Sequence, residues 1–144
     1  KKEVVPLIEQ NYRTSSKRIA VGHSREGLMV MYSLMANSKL FTGHLALSPA
    51  LWREENVFVH NFEAFLDKQE PINSKVFLSM GDREVEKMKK AFDLTVDLLK
   101  KDSTILKWKS MYTPGAQHNN NGLLSAPVGI EWVLESGQSN SKKI

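Results

Sequence analysis

The chain has 144 residues, 41% apolar and 25% charged, with a formal net charge of +4 from 20 Lys and Arg against 16 Asp and Glu; this is the balance of one folded domain and excludes a disordered or collagen-like polymer. No stretch approaches the roughly 20 uninterrupted apolar residues of a membrane-spanning helix, the start Lys1-Lys2-Glu3-Val4-Val5-Pro6 lacks the apolar core of a signal peptide, and the absence of cysteine removes disulfides and thiolate metal sites without selecting a compartment. The basic residues are scattered apart from Lys87-Lys89-Lys90, Lys100-Lys101 and Lys142-Lys143, which read as solvated helix faces rather than the basic, aromatic-interleaved stripe of a nucleic-acid binder, so no nucleic-acid partner is expected.

Residues 3–12 place Val4, Leu7, Ile8 and Tyr12 on one side at helical spacing, with Pro6 accommodated in the first turn, and predict a short amphipathic helix. Lys17-Arg18-Ile19-Ala20-Val21-Gly22 is a brief apolar run ending in glycine, a buried strand. The period then changes at once: Gly27 to Ala36 is apolar nearly all round and too long for a strand, which predicts a helix packed on a sheet. Gly43 to Pro49 reads as a second strand, Val57 to Leu66 as a helix, and Lys75 to Gly81 as a third strand. Val85 to Lys101 carries Met88, Phe92, Val96 and Leu99 three to four residues apart, the clearest helix of the chain. Ile105 to Tyr112 alternates as a fourth strand and Leu124 to Leu134 closes as a helix. Strands alternating with helices need crossover connections, hence a three-layer α/β/α fold around a mostly parallel sheet. The polar tail 136–144 is expected to be disordered.

Chemistry concentrates at the first strand-to-helix junction, Val21-Gly22-His23-Ser24-Arg25-Glu26-Gly27. In a Gly-x-Ser-x-Gly turn the serine takes a strained conformation that lifts its hydroxyl above the carboxyl edge of the sheet, with the free N–H groups of a helix start behind it. Gly22 and Ser24 satisfy that pattern; Glu26 stands where the second glycine belongs, and the next glycine is Gly27. The same residues are compatible with Ser24 as a plain helix cap. Partners for a nucleophile follow in the order acid, then histidine, each on a loop after a strand: Gly81-Asp82-Arg83-Glu84, then Pro114 to Gly122 with His118. A serine hydroxyl is a weak nucleophile until a histidine takes its proton, and that imidazole needs a carboxylate to hold its tautomer. His118, in a polar Gly/Asn-rich loop, fits the base; spacing leaves both Asp82 and Glu84 open as the acid. His23 beside Ser24, which would point elsewhere, His44 on a strand and His60 on a helix read as structural.

Together these segments resemble the "Putative esterase" (esterase D-like) group of α/β-hydrolases, and within it the branch related to siderophore esterases. The likeness rests on Pro6 to Tyr12, Arg18 to Ser24, Leu40-Phe41-Thr42-Gly43, Ser48-Pro49-Ala50-Leu51-Trp52 and the loop ending at His118. It implies a serine hydrolase acting on carboxylic esters, siderophore-type esters or acyl thioesters through an acyl-enzyme, with no metal and no cofactor. It assigns Ser24 as nucleophile, His118 as base, Glu84 as acid, the Arg25 N–H as oxyanion donor, and His23 and Trp52 as substrate-binding. Where the family has a small residue, Glu26 must swing to solvent or crowd the nucleophile. The fold also normally sets several strands ahead of the nucleophile strand. Residues 1–135 are therefore expected to be the C-terminal portion of a hydrolase domain, a partial α/β-hydrolase fold whose open sheet edge favours self-association. The competing reading is a hydrolase-like fragment without catalysis, serving as a structural or interaction unit.

Overall fold

The computed structural model describes residues 3–36, 39–68, 71–101 and 104–135; the tail expected to be disordered lies outside them. The elements run α1 (Val4–Asn11), β1 (Ile19–His23), α2 (Arg25–Ala36), β2 (Gly43–Leu47), α3 (Arg53–Leu66), β3 (Ile72–Gly81), α4 (Glu86–Lys101), β4 (Leu106–Thr113) and α5 (His118–Leu134). The strands form one sheet in the order β1-β2-β3-β4, every neighbouring pair parallel. Sequential order with parallel strands means that each crossover steps the same way, so α2, α3 and α4 collect on one face. There Val30, Met31, Leu34, Phe58, Phe62, Phe92 and Leu99 close over Ala46, Val76, Leu78 and Met80. The alternate strand residues Leu45, Leu47 and Phe77 point the other way and are covered by α5 through Val133 and Trp132. The result is the α/β/α layering expected from the sequence.

The chain turns over the carboxyl edge after β4, and α5 lies close to the sheet. A Cβ at Gly129 would stand 2.6 Å from the Phe77 ring and 2.9 Å from the Leu45 side chain, so glycine inside this helix is the condition of its approach rather than a weakness. α5 begins at His118 and not near Leu124. The Asn-rich stretch read as loop is the first turn of a helix, its start fixed by the Asn120 side chain accepting the Gln117 N–H at 2.8 Å. Conversely, α3 is right-handed only from Val57, because Glu54, Glu55 and Asn56 hold left-handed backbone angles.

At the amino end, α1 forms as predicted, but nothing among the described residues covers its apolar stripe: Val4, Leu7, Ile8 and Tyr12 are all exposed. An Arg18–Glu9 ion pair ties it to the segment entering β1. The strand expected to be buried, β1, is instead an edge strand: its outer edge has no strand beside it among the described residues, only Gly22 of its five residues is buried, and Val21 is 50% exposed.

His44, at the opposite end of the sheet from the carboxyl edge, is fully buried, its Nδ1 3.0 Å from the Ser74 hydroxyl. Burial lowers its pKa from 6.5 to about 4, since a charged imidazolium would lose its hydration there. The unfolded chain therefore takes up a proton on His44 below pH 6.5 while the folded chain does not until about pH 4, so this residue's contribution to stability is complete above 6.5 and is lost as pH falls through that window. At pH 5 the loss is about 2 kcal/mol. In urea unfolding, wild type should lose about that much more stability than His44→Leu between pH 7 and pH 5; equal losses would mean that His44 is not held neutral.

Candidate active site

The carboxyl edge of the sheet gathers the loops that follow all the strands. Ser24, between β1 and α2, has φ +59, in the left-handed region. Its N–H donates to the Leu47 carbonyl at 2.9 Å, and its carbonyl accepts from Leu28 at 3.1 Å and Ala50 at 2.9 Å. The turn is tight enough that a Cβ on Gly22 would lie 2.3 Å from the Glu26 carbonyl oxygen. This is the strained strand–turn–helix that the Gly-x-Ser pattern predicts.

His118 heads α5 and reaches back over the edge, its Nε2 2.9 Å from Ser24 Oγ and its Nδ1 2.8 Å from Glu84 Oε2. A carboxylate only accepts, so Nδ1 carries the ring proton; Nε2 is left with its lone pair toward the serine hydroxyl, which donates to it. The Glu84 side chain is fully buried and that of His118 is 41% exposed. Burying a carboxylate is costly unless its oxygens are satisfied. Here Oε2 accepts from His118, while Oε1 accepts from the Gly81 N–H at 2.8 Å and from the Ser48 hydroxyl. Asp82, the other acid the sequence left open, is exposed, and its N–H donates to the Thr113 carbonyl.

Arg25 is the first residue of α2, so its N–H has no carbonyl within the helix to bond and remains at the positive end of the helix dipole beside Ser24. The His23 Nε2–H donates to the His118 carbonyl at 2.7 Å, and the two rings lie 4.7 Å apart. His23 thus seats the start of α5, and Gly122 leaves room for its ring, since a Cβ there would come within 3.2 Å. Trp52, beyond Ala50 on the same edge, is half-buried against the main core, with the Lys87 ammonium 3.8 Å from its ring centroid. Lys87 is exposed, as expected of a solvated helix face, and is also a cation–π partner of Trp52. His60 is exposed on α3. Sequence reasoning missed Ser48 and Asn121, both fully buried beneath the Ser24–His118–Glu84 line; a serine ending an apolar strand and an asparagine within an Asn run gave no sign of burial. Among the described residues, no group of three or more His, Asp or Glu is arranged to hold a metal ion, and no helix is long and apolar enough to cross a membrane.

Glu26 is exposed in the first turn of α2, the end of a helix where a negative side chain is favourable. Close backbone approach falls instead on Gly27, where a Cβ would meet the Gly22 oxygen and Pro49 Cα at 3.1 Å and the Leu47 oxygen at 3.2 Å. Of the two outcomes expected for Glu26, the structure has the swing to solvent. Glu26→Gly should therefore change ester turnover by less than about threefold and lower stability by about 1 kcal/mol; a gain above tenfold would show that Glu26 obstructs the site.

A family model described as "Putative esterase" matches residues 1–122. No curated protein matches the chain in sequence. Among solved structures, the BES protein from Bacillus cereus matches with TM-score 0.80 at 25% identity, over 94% of this chain and 52% of that one. An IroE-like serine hydrolase from Shewanella oneidensis matches with TM-score 0.83 at 25% identity, over 91% of this chain and 44% of that one. The siderophore hydrolase EstA from Aspergillus nidulans matches with TM-score 0.73 at 18% identity, over 92% of this chain and 54% of that one, a likeness of fold. The chain thus spans about half the length of the solved structures it matches.

Proposed function

The chain belongs to the "Putative esterase" family, and on that premise we propose that it hydrolyses carboxylic esters through a Ser24–His118–Glu84 triad. One observation carries the proposal: a single unbroken line of hydrogen bonds, Ser24 Oγ to His118 Nε2 at 2.9 Å and His118 Nδ1 to Glu84 at 2.8 Å, at the carboxyl edge of a parallel sheet. Its polarity matches the chemistry. His118 Nε2 takes the hydroxyl proton as Ser24 Oγ attacks the acyl carbon, and Glu84 stabilises the imidazolium that forms. The oxyanion of the tetrahedral intermediate faces the Arg25 N–H and the start of α2. The imidazolium then protonates the departing alkoxide or thiolate, leaving an acyl-serine, and water activated by the same nitrogen releases the acid. The reaction needs no metal or cofactor.

The substrates we propose are small-molecule esters of siderophore type, or acyl thioesters, with Trp52 on the cleft wall. This is supported by the IroE-like and siderophore hydrolases among the structural neighbours. We further propose that residues 1–135 are the C-terminal portion of a hydrolase domain, a reading that accounts for the uncovered apolar stripe of α1 and the bare edge of β1. The test is labelling: a fluorophosphonate should add once to the chain, with the adduct mapping to Ser24 by peptide mass, and not to Ser24→Ala. A folded sample that takes no label, or takes it elsewhere, would overturn the assignment.

A further inference from the structure

We propose that Ser48, held by Asn121, is a positioning residue for the triad: its hydroxyl fixes the Glu84 carboxylate in the one orientation that turns Oε2 to His118. The inference rests on the reading of Ser24, His118 and Glu84 as a triad. It starts from a backbone outlier, since Ser48 has φ +45, in the region that favours glycine. A side chain kept there at a conformational cost calls for a function. The Ser48 N–H is tied to the Ser79 carbonyl at 2.8 Å, and the turn aims the hydroxyl beneath the carboxyl edge onto Glu84 Oε1.

The protons around Ser48 admit one assignment. The Ser125 hydroxyl donates to the backbone carbonyl of Asn121 at 2.8 Å, so at the 2.7 Å contact between Ser125 and Ser79 the donor is Ser79. Ser79 oxygen is then an acceptor for Asn121 Nδ2 at 3.1 Å, and the other Nδ2 proton goes to Ser48 Oγ at 2.8 Å. Ser48 receives that proton and has only its own to give, which goes to Glu84. All of Ser48, Ser79, Asn121 and Ser125 are fully buried, so no bulk water competes for these bonds. With the Gly81 N–H, the Ser48 hydroxyl pins Oε1 from a second side; without it the carboxylate keeps one anchor there and is free to turn away from His118.

The experiment compares Ser48→Ala with Ser48→Gly. Both remove the hydroxyl, but alanine keeps the cost of a positive φ and glycine relieves it, so the two differ in stability while sharing the lost bond. Both should lower kcat for p-nitrophenyl acetate by about ten- to a hundredfold, the scale of a displaced catalytic group, with KM within about twofold. In both, the ring 15N shifts of His118 should move from the Nδ1–H tautomer toward a mixture. If kcat stays within threefold of wild type in either variant, or if glycine restores what alanine loses, Ser48 serves the backbone and not Glu84. Ser24→Ala in the same assay separates this from failure of the triad: without Ser24-dependent turnover in wild type the triad reading falls, and the ring shifts alone decide whether Ser48 orients Glu84, unchanged shifts overturning it.

Discussion

Ser24→Ala is expected to lower ester turnover at least about a thousandfold, His118→Ala by a similar factor, and the double variant by no more than either alone. The non-additivity is the informative part. In the proposed mechanism Ser24 Oγ is nucleophilic only while His118 Nε2, 2.9 Å away, accepts its proton, so once either partner is gone the other has nothing left to contribute. Two residues acting independently would instead multiply their losses. What survives in every variant on this proposal is whatever the Arg25 N–H and the binding surface give to attack by water. Steady-state hydrolysis of p-nitrophenyl acetate checks this, with urea unfolding to show that each variant is folded. Ser24 is half-buried and loses one oxygen, so no large destabilisation should confuse the result. A Ser24→Ala protein retaining a tenth of wild-type turnover would leave the serine as a helix cap.

The layering was legible because buried parallel strands and their crossover helices write unlike periods. Leu45-Ala46-Leu47 and Val76-Phe77-Leu78 are continuous apolar runs and are buried, while Met88, Phe92, Val96 and Leu99 recur by three and four; Ile19-Ala20-Val21-Gly22 reads like the first two but is an edge strand, a position that its composition does not mark. Ser24 was legible because the tight turn demands glycine at Gly22, where any Cβ would strike the Glu26 carbonyl. The start of α5 was not, because Asn119-Asn120-Asn121 has loop composition. The first turn there is set by the local capping bond between Gln117 and Asn120, which asparagine supplies in place of the usual Glu or Gln, and by the burial of Asn121 between Ser48 and Ser79, the latter a tertiary effect without local signature. The sequence left two outcomes open for Glu26 for a related reason: residue spacing marks a position as close to its neighbours without saying which way its Cβ points. In this helix the inward position is Gly27. The four serine and asparagine side chains under the proposed triad were invisible altogether, since polar residues carry no period that announces a buried network.

Glu84→Gln should cost about three to four orders of magnitude in kcat with KM little changed, although it replaces a single oxygen. The size follows from which way the amide must face. Oε1 of Glu84 lies against two donors, the Gly81 N–H and the Ser48 hydroxyl, so the glutamine oxygen takes that side and its NH2 turns to His118 Nδ1. That nitrogen must then accept, the ring proton moves to Nε2, and Ser24 Oγ faces a donor where it needs a base. Geometry is kept while the tautomer is inverted, so the protein should remain folded and bind its ester while failing in the chemical step. Asp82→Asn is the matching control: its side chain is exposed and the carboxylate on His118 Nδ1 is that of Glu84, so turnover should stay within about threefold. The reverse pattern, with Asp82→Asn impaired and Glu84→Gln active, would move the acid to Asp82. Equal tolerance of both would mean that His118 keeps its tautomer without a carboxylate. The ring 15N shifts of His118 in Glu84→Gln separate these cases directly, because an inverted tautomer exchanges the protonated and bare nitrogens even in a sample that turns over no substrate.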